Sequence, residues 1–489
     1  YLTSYKIRSL HVFWHNDTTI IIRDETPERK GMGAKQRIYT AGVLYYTVLE
    51  IRTDFRKGRQ EDVMERNDPR YQAYVEILKE ELIPAMGCTE PIALAYAAAK
   101  AREVLGVLPD SVQLQVSGSI IKNVKSVIVP NTGHLKGMEA AVAAGIIAGS
   151  AEKELEVISE VSEEKKSAIR DYLQTVPITI EHTEQGHVFD IVVTERCGQD
   201  YARVRIADYH TNICRIEKNG MVLYEVPLRD ETVQEDARAD RSLLNMQDIW
   251  DFAETADLRD VADLLERQIR YNNAIAEEGL LGDYGANIGR VLLTTYGNDV
   301  SNRAKAKAAA GSDARMNGCE LPVIINSGSG NQGITCSVPL IEYAKELHSG
   351  KEKLYRALII SNLVAIHEKT GIGTLSAYCG AVSAGAGAGA GIVYLCGDGY
   401  QAAIHTVVNA LAIVSGIVCD GAKASCAAKI ASSVDAALLG YNMYKCNQEF
   451  KGGDGIVMKD IETTIKGIGR LGKDGMRQTN EEIIRLMMS

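Results

Sequence analysis

The sequence predicts an α+β protein: a mixed α/β subdomain of strands with a few helices, followed by a large, mainly α-helical domain rich in Gly and Ala. Three observations predict this. Apolar and polar residues alternate over 110–133, 178–207 and 212–226, the period of half-buried strands. After about residue 240 the pattern turns helical, in segments built from small residues such as GAVSAGAGAGAGIVYL and ASCAAKIASSVDAALLGYNMY. No strand–helix alternation follows there, which argues against a doubly wound nucleotide-binding fold.

Composition sets outer bounds. Apolar residues make up 46% of the 489 and charged residues 24%, ordinary for a folded globular chain and too apolar for disorder. The formal charge of −10 argues against a nucleic-acid binder, which needs a basic face. Aromatics are 6% while 44 residues are Gly, so backbones must pack closely. Ten cysteines with no CxxC pair point away from disulfide scaffolds and zinc ribbons and toward a reducing cytoplasm. The first thirty residues carry charges throughout and lack the apolar core of a signal peptide.

In chain order, residues 1–68 read as an N-terminal extension of unknown status. Up to residue 70 there are 13 Lys and Arg against 10 Asp and Glu, with strand-like runs at 18–23 and 43–51. Segment 69–108 is helical: a helix from 68 after Asp-Pro, stopped near Pro84, then a tight turn and an Ala-rich helix over 86–106 with Pro91 in its first turn. Segment 109–232 combines the strands with helices at 135–149 and 162–176, and Asn219-Gly220 marks a hairpin. The remainder, 233–489, is the helical domain. Within it, 371–397 carries no Asp, Glu, Lys or Arg over 27 residues. Eight of these are Gly, too weakly apolar for a bilayer, so a buried, tightly packed helix pair is expected and no membrane association.

Four cysteines have unusual surroundings: Cys88 in GCTEP, Cys379 in AYCGA, and Cys419 and Cys426 in VCDGAKASC. An unbroken helix would hold Cys419 and Cys426 about 10 Å apart along its axis. Asp420-Gly421 breaks such a helix and lets the segment curl. Three converging thiolates, with Cys379, are the minimum for an iron–sulfur cluster with one iron open; the bland alternative is three small hydrophobes. The run INSGSGNQGIT (325–335) offers a backbone cradle for an anion, or a tight interhelix turn. Lys122, Asn123, Asn131, Thr132 and His134 lie in SGSIIKNVKSVIVPNTGHLKG, at strand ends or loops. The trio His367-Glu368-Lys369 reads as a solvated helix end.

Together IPAMGCTEPIALA, KNVKSVIVPNTG, INSGSGNQGI, AYCGAVSAGAGAGAG and GIVCDGAKASCA resemble the L-cysteine desulfidase family, which is serine dehydratase alpha-chain-like and iron–sulfur dependent. The resemblance runs from about residue 70 to 489. It implies a cytoplasmic carbon–sulfur lyase that converts L-cysteine to pyruvate, ammonia and hydrogen sulfide with a 4Fe-4S cluster held by Cys379, Cys419 and Cys426. It makes Cys88 either an additional ligand or the group that handles the α-proton, with Glu90 beside it. Ser327, Ser329, Asn331 and Gln332, and the turn with Asn131, Thr132 and His134, are the expected grip on the substrate. A homo-oligomer, a dimer, is expected. L-Serine dehydration by the same mechanism is the nearest alternative. A pyridoxal-phosphate lyase using Lys305 or Lys307 and a non-enzymatic cluster sensor are the others.

Overall fold

The computed structural model describes residues 64–183, 187–228, 238–373 and 375–488, and the backbone of four strands nearer the N-terminus. Those strands, β1 (Ser4–Ile7), β2 (Leu10–His15), β3 (Thr19–Asp24) and β4 (Gln36–Thr40), form an antiparallel meander in a compact unit that ends at Val63. β3 covers the strand expected at 18–23; the run at 43–51 lies outside the described residues.

From Met64 onward the chain is a second compact unit. Helix α1 (Pro69–Glu81) starts where Asp68 accepts a hydrogen bond from the Arg70 amide at 2.8 Å and Pro69 supplies a preset first-turn φ. The chain then forms β5 (Pro84–Met86) and enters α2 (Thr89–Leu105), an Ala-rich helix ended by left-handed Gly106.

The main sheet has six strands in the order β11-β10-β9-β8-β6-β7. These are β6 (Ser111–Ser117), β7 (Ile178–Thr183), β8 (Asp190–Cys197), β9 (Asp200–Ala207), β10 (Ile213–Lys218) and β11 (Met221–Glu225). Only β6 and β7 pair in parallel, with Val112 opposite Ile178, because three helices intervene between them. Asn219 and Gly220, at φ 51° and 80°, make the expected hairpin between β10 and β11.

The strand expected to run on to residue 133 stops at Ser117, and 118–124 is a helix, α3 (Gly118–Val124). The alternation of Val112, Leu114 and Val116 gives way to Ile120, Ile121 and Val124, and every residue of α3 is buried. A buried segment with water on neither side must satisfy its own backbone, which a helix does locally. α4 (Gly137–Ala148) and α5 (Glu163–Thr175) follow close to their expected bounds.

The helical part contains α6 (Met246–Thr255), α7 (Ala262–Leu281), α8 (Ile288–Tyr296), α9 (Val300–Met316), α10 (Gly330–Glu346), α11 (Lys351–Ile372), α12 (Gly380–Cys396), α13 (Tyr400–Val414), α14 (Ser425–Lys445), α15 (Ile461–Arg470) and α16 (Arg477–Met488). One short strand, β12 (Pro322–Ile324), interrupts it and pairs antiparallel with β5, Val323 opposite Ala85. This ribbon was not anticipated. It ties the start of the chain's second unit to the middle of its helical part.

α12 is the hub of the helices, and its glycines allow the contacts. A methyl at Gly387 would lie 2.4 Å from the Ser361 carbonyl of α11, and one at Gly385 would lie 2.8 Å from Ser433 of α14. The uncharged stretch 371–397 is therefore the end of α11, a turn and one helix, not a pair of helices. Among the described residues no helix is long and apolar enough to cross a membrane.

Gly387→Ala should destabilise the protein by about 1–3 kcal/mol, because the added methyl forces α11 and α12 apart. Gly416→Ala, where a Cβ meets nothing within 4 Å, should change little. Thermal denaturation of the two variants checks the contrast.

Candidate functional site

The ribbon of β5 and β12 places GCTEP against the 325–335 loop. The Ile325 amide donates to the Ile83 carbonyl at 3.0 Å, and Thr89 Oγ1 donates to the Gly328 carbonyl at 3.0 Å. A second main-chain contact joins the other two motifs. The Cys379 amide donates to Ile417 O at 3.2 Å, the Cys419 amide to Ala377 O at 2.6 Å, and Tyr378 bridges Val418 antiparallel. Gly421, at φ +93°, then turns the chain toward Cys426. A Cβ there would lie 2.1 Å from the Lys122 carbonyl, so only Gly fits.

The result is one inner cavity of about 110 Å³. Cys88, Cys379, Cys419 and Cys426 line it, with Glu90, Asn123, Ser327, Ser329, Asn331 and Gln332. Helix starts surround it. Cys88 is the N-cap of α2, Ser329 of α10 and Cys379 of α12, and Cys426 sits in the first turn of α14. Each start brings the positive end of its helix dipole to the cavity, which favours negative charge, and first-turn amides of Glu90 and Ala381 bond the Cys88 and Cys379 sulfurs.

Glu90 is the most heavily held group. It accepts from Cys88 Sγ and Asn123 Nδ2, each at 3.1 Å; Thr89 Oγ1 lies 3.1 Å from it and His210 Nε2 3.9 Å. Burial would raise its pKa, but the facing His210 and the Cys88 thiol outweigh this and hold it at about 2. Burial first, and the Glu90 charge next, push the Cys88 thiol well up. Cys88 is therefore a neutral thiol that donates to a carboxylate.

Burial pushes Cys379 up to about 12, reinforced by Cys419 and Cys426. The Cys426 thiol is raised by burial as well. Two lysines sit close by. Lys122 donates to the Cys419 and Ser376 carbonyls, each at 3.3 Å, and to Asn480 Oδ1 at 2.6 Å. Lys369 is 7% exposed and donates to the Gly373 carbonyl; burial draws its ammonium down to about 8 against the pull of Cys419. The trio at 367–369 is thus no solvated cap: Glu368 is 1% exposed.

Among the described residues no group of three His, Cys, Asp or Glu side chains could hold a single metal ion. The donor set suits a cluster better than an ion. A four-iron cube takes its thiolates at separate corners, and these three soft donors share one cavity and feel one another's charge.

The expected substrate residues divide into two groups. Ser327, Ser329, Asn331 and Gln332 line the cavity, and Gln332 Oε1 is buried there with no hydrogen-bond partner among the described residues. Asn131, Thr132 and His134 lie outside the cavity lining. Asn131 donates to Ile158 O at 2.8 Å, Thr132 donates to Val129 O at 2.7 Å, and His134 is exposed. Lys305 and Lys307 are also outside it, paired with Asp435 at 2.6 Å and Glu342 at 2.8 Å.

Sequence reasoning missed His210 and Arg315, and it read Lys369 as part of a solvated helix end. Arg315 is 2% exposed, lies beneath the loop with Nε against Gly330, and donates to Asn331 Oδ1 at 3.2 Å. His210 stacks edge-on to Phe189 and packs against Gly328. An arginine at the end of an Ala-rich helix was the available signal for Arg315, and the charged trio before an uncharged stretch was the signal for Lys369; His210 carried none.

Residues 152–485 match the serine dehydratase alpha chain family. The chain belongs to that family. It is 61% identical over 426 residues to a UPF0597 protein of Desulfitobacterium hafniense, covering 87% of this chain and 99% of that one. It is 52% identical to a UPF0597 protein of Lachnoclostridium phytofermentans, over 86% of this chain and 100% of the relative. A UPF0597 protein of Treponema denticola is 46% identical over 87% of this chain and 100% of its own.

Removing the Glu90 charge should shift Cys88 toward thiolate, since that charge raises the thiol pKa. Glu90→Gln should therefore speed alkylation of Cys88 by iodoacetamide at pH 8 relative to exposed Cys446. Peptide mass spectrometry of iron-free protein would read the two rates; unchanged relative labelling would count against the electrostatic coupling.

Proposed function

We propose that this protein is an iron–sulfur-dependent lyase that eliminates the β-substituent of a small amino acid, acting on L-cysteine to release pyruvate, ammonia and hydrogen sulfide. One observation carries the reading: Cys379, Cys419 and Cys426 line the same cavity as Ser327 and Ser329 of the loop and Asn331 and Gln332 of the first turn of α10. Membership of the serine dehydratase alpha chain family supports a lyase. The GCTEP motif, shared in its resemblance to desulfidases, supports cysteine. L-Serine dehydration at the same site is the second reading, and the family description favours it.

Cys379, Cys419 and Cys426 would hold a 4Fe-4S cluster, whose open iron supplies a Lewis acid with affinity for the substrate's soft β-sulfur. The chain supplies the rest. Gln332 Oε1, an acceptor buried with no partner among the described residues, receives the substrate ammonium. Arg315 beneath Asn331 fixes the loop. The Cys88 thiol donates to Glu90 Oε2 across 3.1 Å, and the Glu90 carboxylate, the ionised member of this pair, takes the substrate's α-proton. As the α-proton leaves, the Cβ–S bond breaks and sulfur departs as HS⁻, which recovers that proton. The aminoacrylate that remains tautomerises to an imine, and water hydrolyses it to pyruvate and ammonia. Asn131 and Thr132 hold the neighbouring turn in this reading and do not touch substrate.

Anaerobic purification with iron and sulfide reconstitution, followed by sulfide and pyruvate assays on L-cysteine and L-serine side by side, tests the reading. Turnover of cysteine above serine is expected, and a protein that takes up no iron would sink it. Cys379→Ala, Cys419→Ala and Cys426→Ala should each lower bound iron, because three ligands leave no spare; normal iron in all three would remove the ligand assignment.

Cys88→Ser should keep most iron yet lose about 10²–10⁴-fold in turnover, the usual weight of a positioned acid–base group. An iron-free variant would instead make Cys88 a ligand.

A further inference from the structure

The inner cavity does not stand alone. An outer cavity of about 430 Å³, lined by Glu80, Glu81, Arg238 and Arg241 among others, lies against it. The two share four lining residues, His210, Ser327, Gly328 and Lys369, which form a neck between them. All four site cysteines line only the inner cavity. An amino acid with its β-substituent toward them and its ammonium at Gln332, which lines only the inner cavity, has its carboxylate left to turn toward the neck.

The polar groups around that neck have different commitments. His210 faces Glu90 at 3.9 Å. Ser327 Oγ donates to Asn326 Oδ1 at 2.8 Å. Arg238 and Arg241 are engaged by Glu80 and Glu81, with Arg241 Nη2 at 2.8 and 2.7 Å from them, and they line only the outer cavity. Arg315 lines only the inner cavity and is packed under the loop. Lys369 donates to the Gly373 carbonyl at the end of its own helix; among the described residues it is the one Lys or Arg that lines both cavities, and at 7% exposure it is screened from bulk water.

We propose that Lys369 is the substrate-positioning residue of this site: its ammonium receives the α-carboxylate at the neck and so directs the β-substituent toward the cysteines. The assignment rests on the amino-acid lyase reading and deepens it. It places the carboxylate on α11 and the ammonium at Gln332 in the first turn of α10. Such a two-point grip also orients the Cα–H toward Cys88 and Glu90, and it selects free α-amino acids over amines that lack a carboxylate.

The test uses the full chain, reconstituted anaerobically, with Lys369→Gln and Lys369→Arg beside the wild type and iron content checked in each. Calorimetry with L-alanine, which has the carboxylate and ammonium but no leaving group, reads binding without turnover. Cysteamine, which lacks the carboxylate, is the second ligand. Lys369→Gln should weaken L-alanine binding by about 10-fold to 100-fold, the weight of a hydrogen bond to a charged group, and leave cysteamine binding within about threefold. Lys369→Arg should recover part of the L-alanine affinity. Equal losses for both ligands would make Lys369 merely structural, and unchanged L-alanine binding would remove it from the site; either overturns the proposal. Wild-type protein that binds L-alanine in this pattern but converts neither cysteine nor serine would instead overturn the lyase reading and leave the lysine assignment standing.

Discussion

The site depends on a few main-chain hydrogen bonds between two short loops. The Cys379 amide reaches Ile417 O and the Cys419 amide reaches Ala377 O, so two cysteines forty positions apart in the chain emerge side by side. Side-chain packing alone would not fix them so closely, because each cysteine side chain has only one rotatable bond to its sulfur and must inherit its position from the backbone. Gly421 completes the geometry by letting the chain pass against the Lys122 carbonyl and return to Cys426. The Gly-rich face of α12 follows from the same need. Cys379 caps that helix, and α11 and α14 must approach it without intervening side chains for the neighbouring loops to meet.

Electrostatics explain why these thiols are gathered where they are. Burial drives Cys379 and Cys426 toward their neutral forms, and the neighbouring Cys419 adds to it. Helix starts on several sides, with Lys122 and Lys369 nearby, supply the compensating positive potential. His210 and the Cys88 thiol keep Glu90 ionised in a buried position, a state that is costly without the hydrogen bonds from Cys88 and Asn123. Polar residues elsewhere in the motifs serve structure: Asn131 and Thr132 satisfy backbone carbonyls in a left-handed turn that would otherwise be left unpaired.

Much of the secondary structure was legible because it rests on local rules. Asp68-Pro69 opens α1, Gly106 ends α2, and Asn219-Gly220 turns the β10–β11 hairpin, each for a reason confined to a few residues. α3 was not legible. Its sequence reads as a continued alternation, and only burial on every side decides that its backbone must bond to itself. The β5–β12 ribbon escaped for the opposite reason: each strand is three residues long and carries a proline, too little pattern to announce a pairing.

The sequence by itself determined the chemical inventory: small-residue helices, a loop of Gly, Ser and amides, and cysteines flanked by residues with room around the sulfur. Those features are local, so composition and spacing express them. Only the tertiary structure decided which of them meet. Thr89 touches Gly328 across 239 residues of chain, and His210, Arg315 and Lys369 enter the site from three different elements. No single-chain pattern encodes such a meeting, because long-range pairing depends on how whole helices and strands pack, and a lone His, Arg or Lys looks the same in sequence whether packing leaves it in water or encloses it beside a cavity.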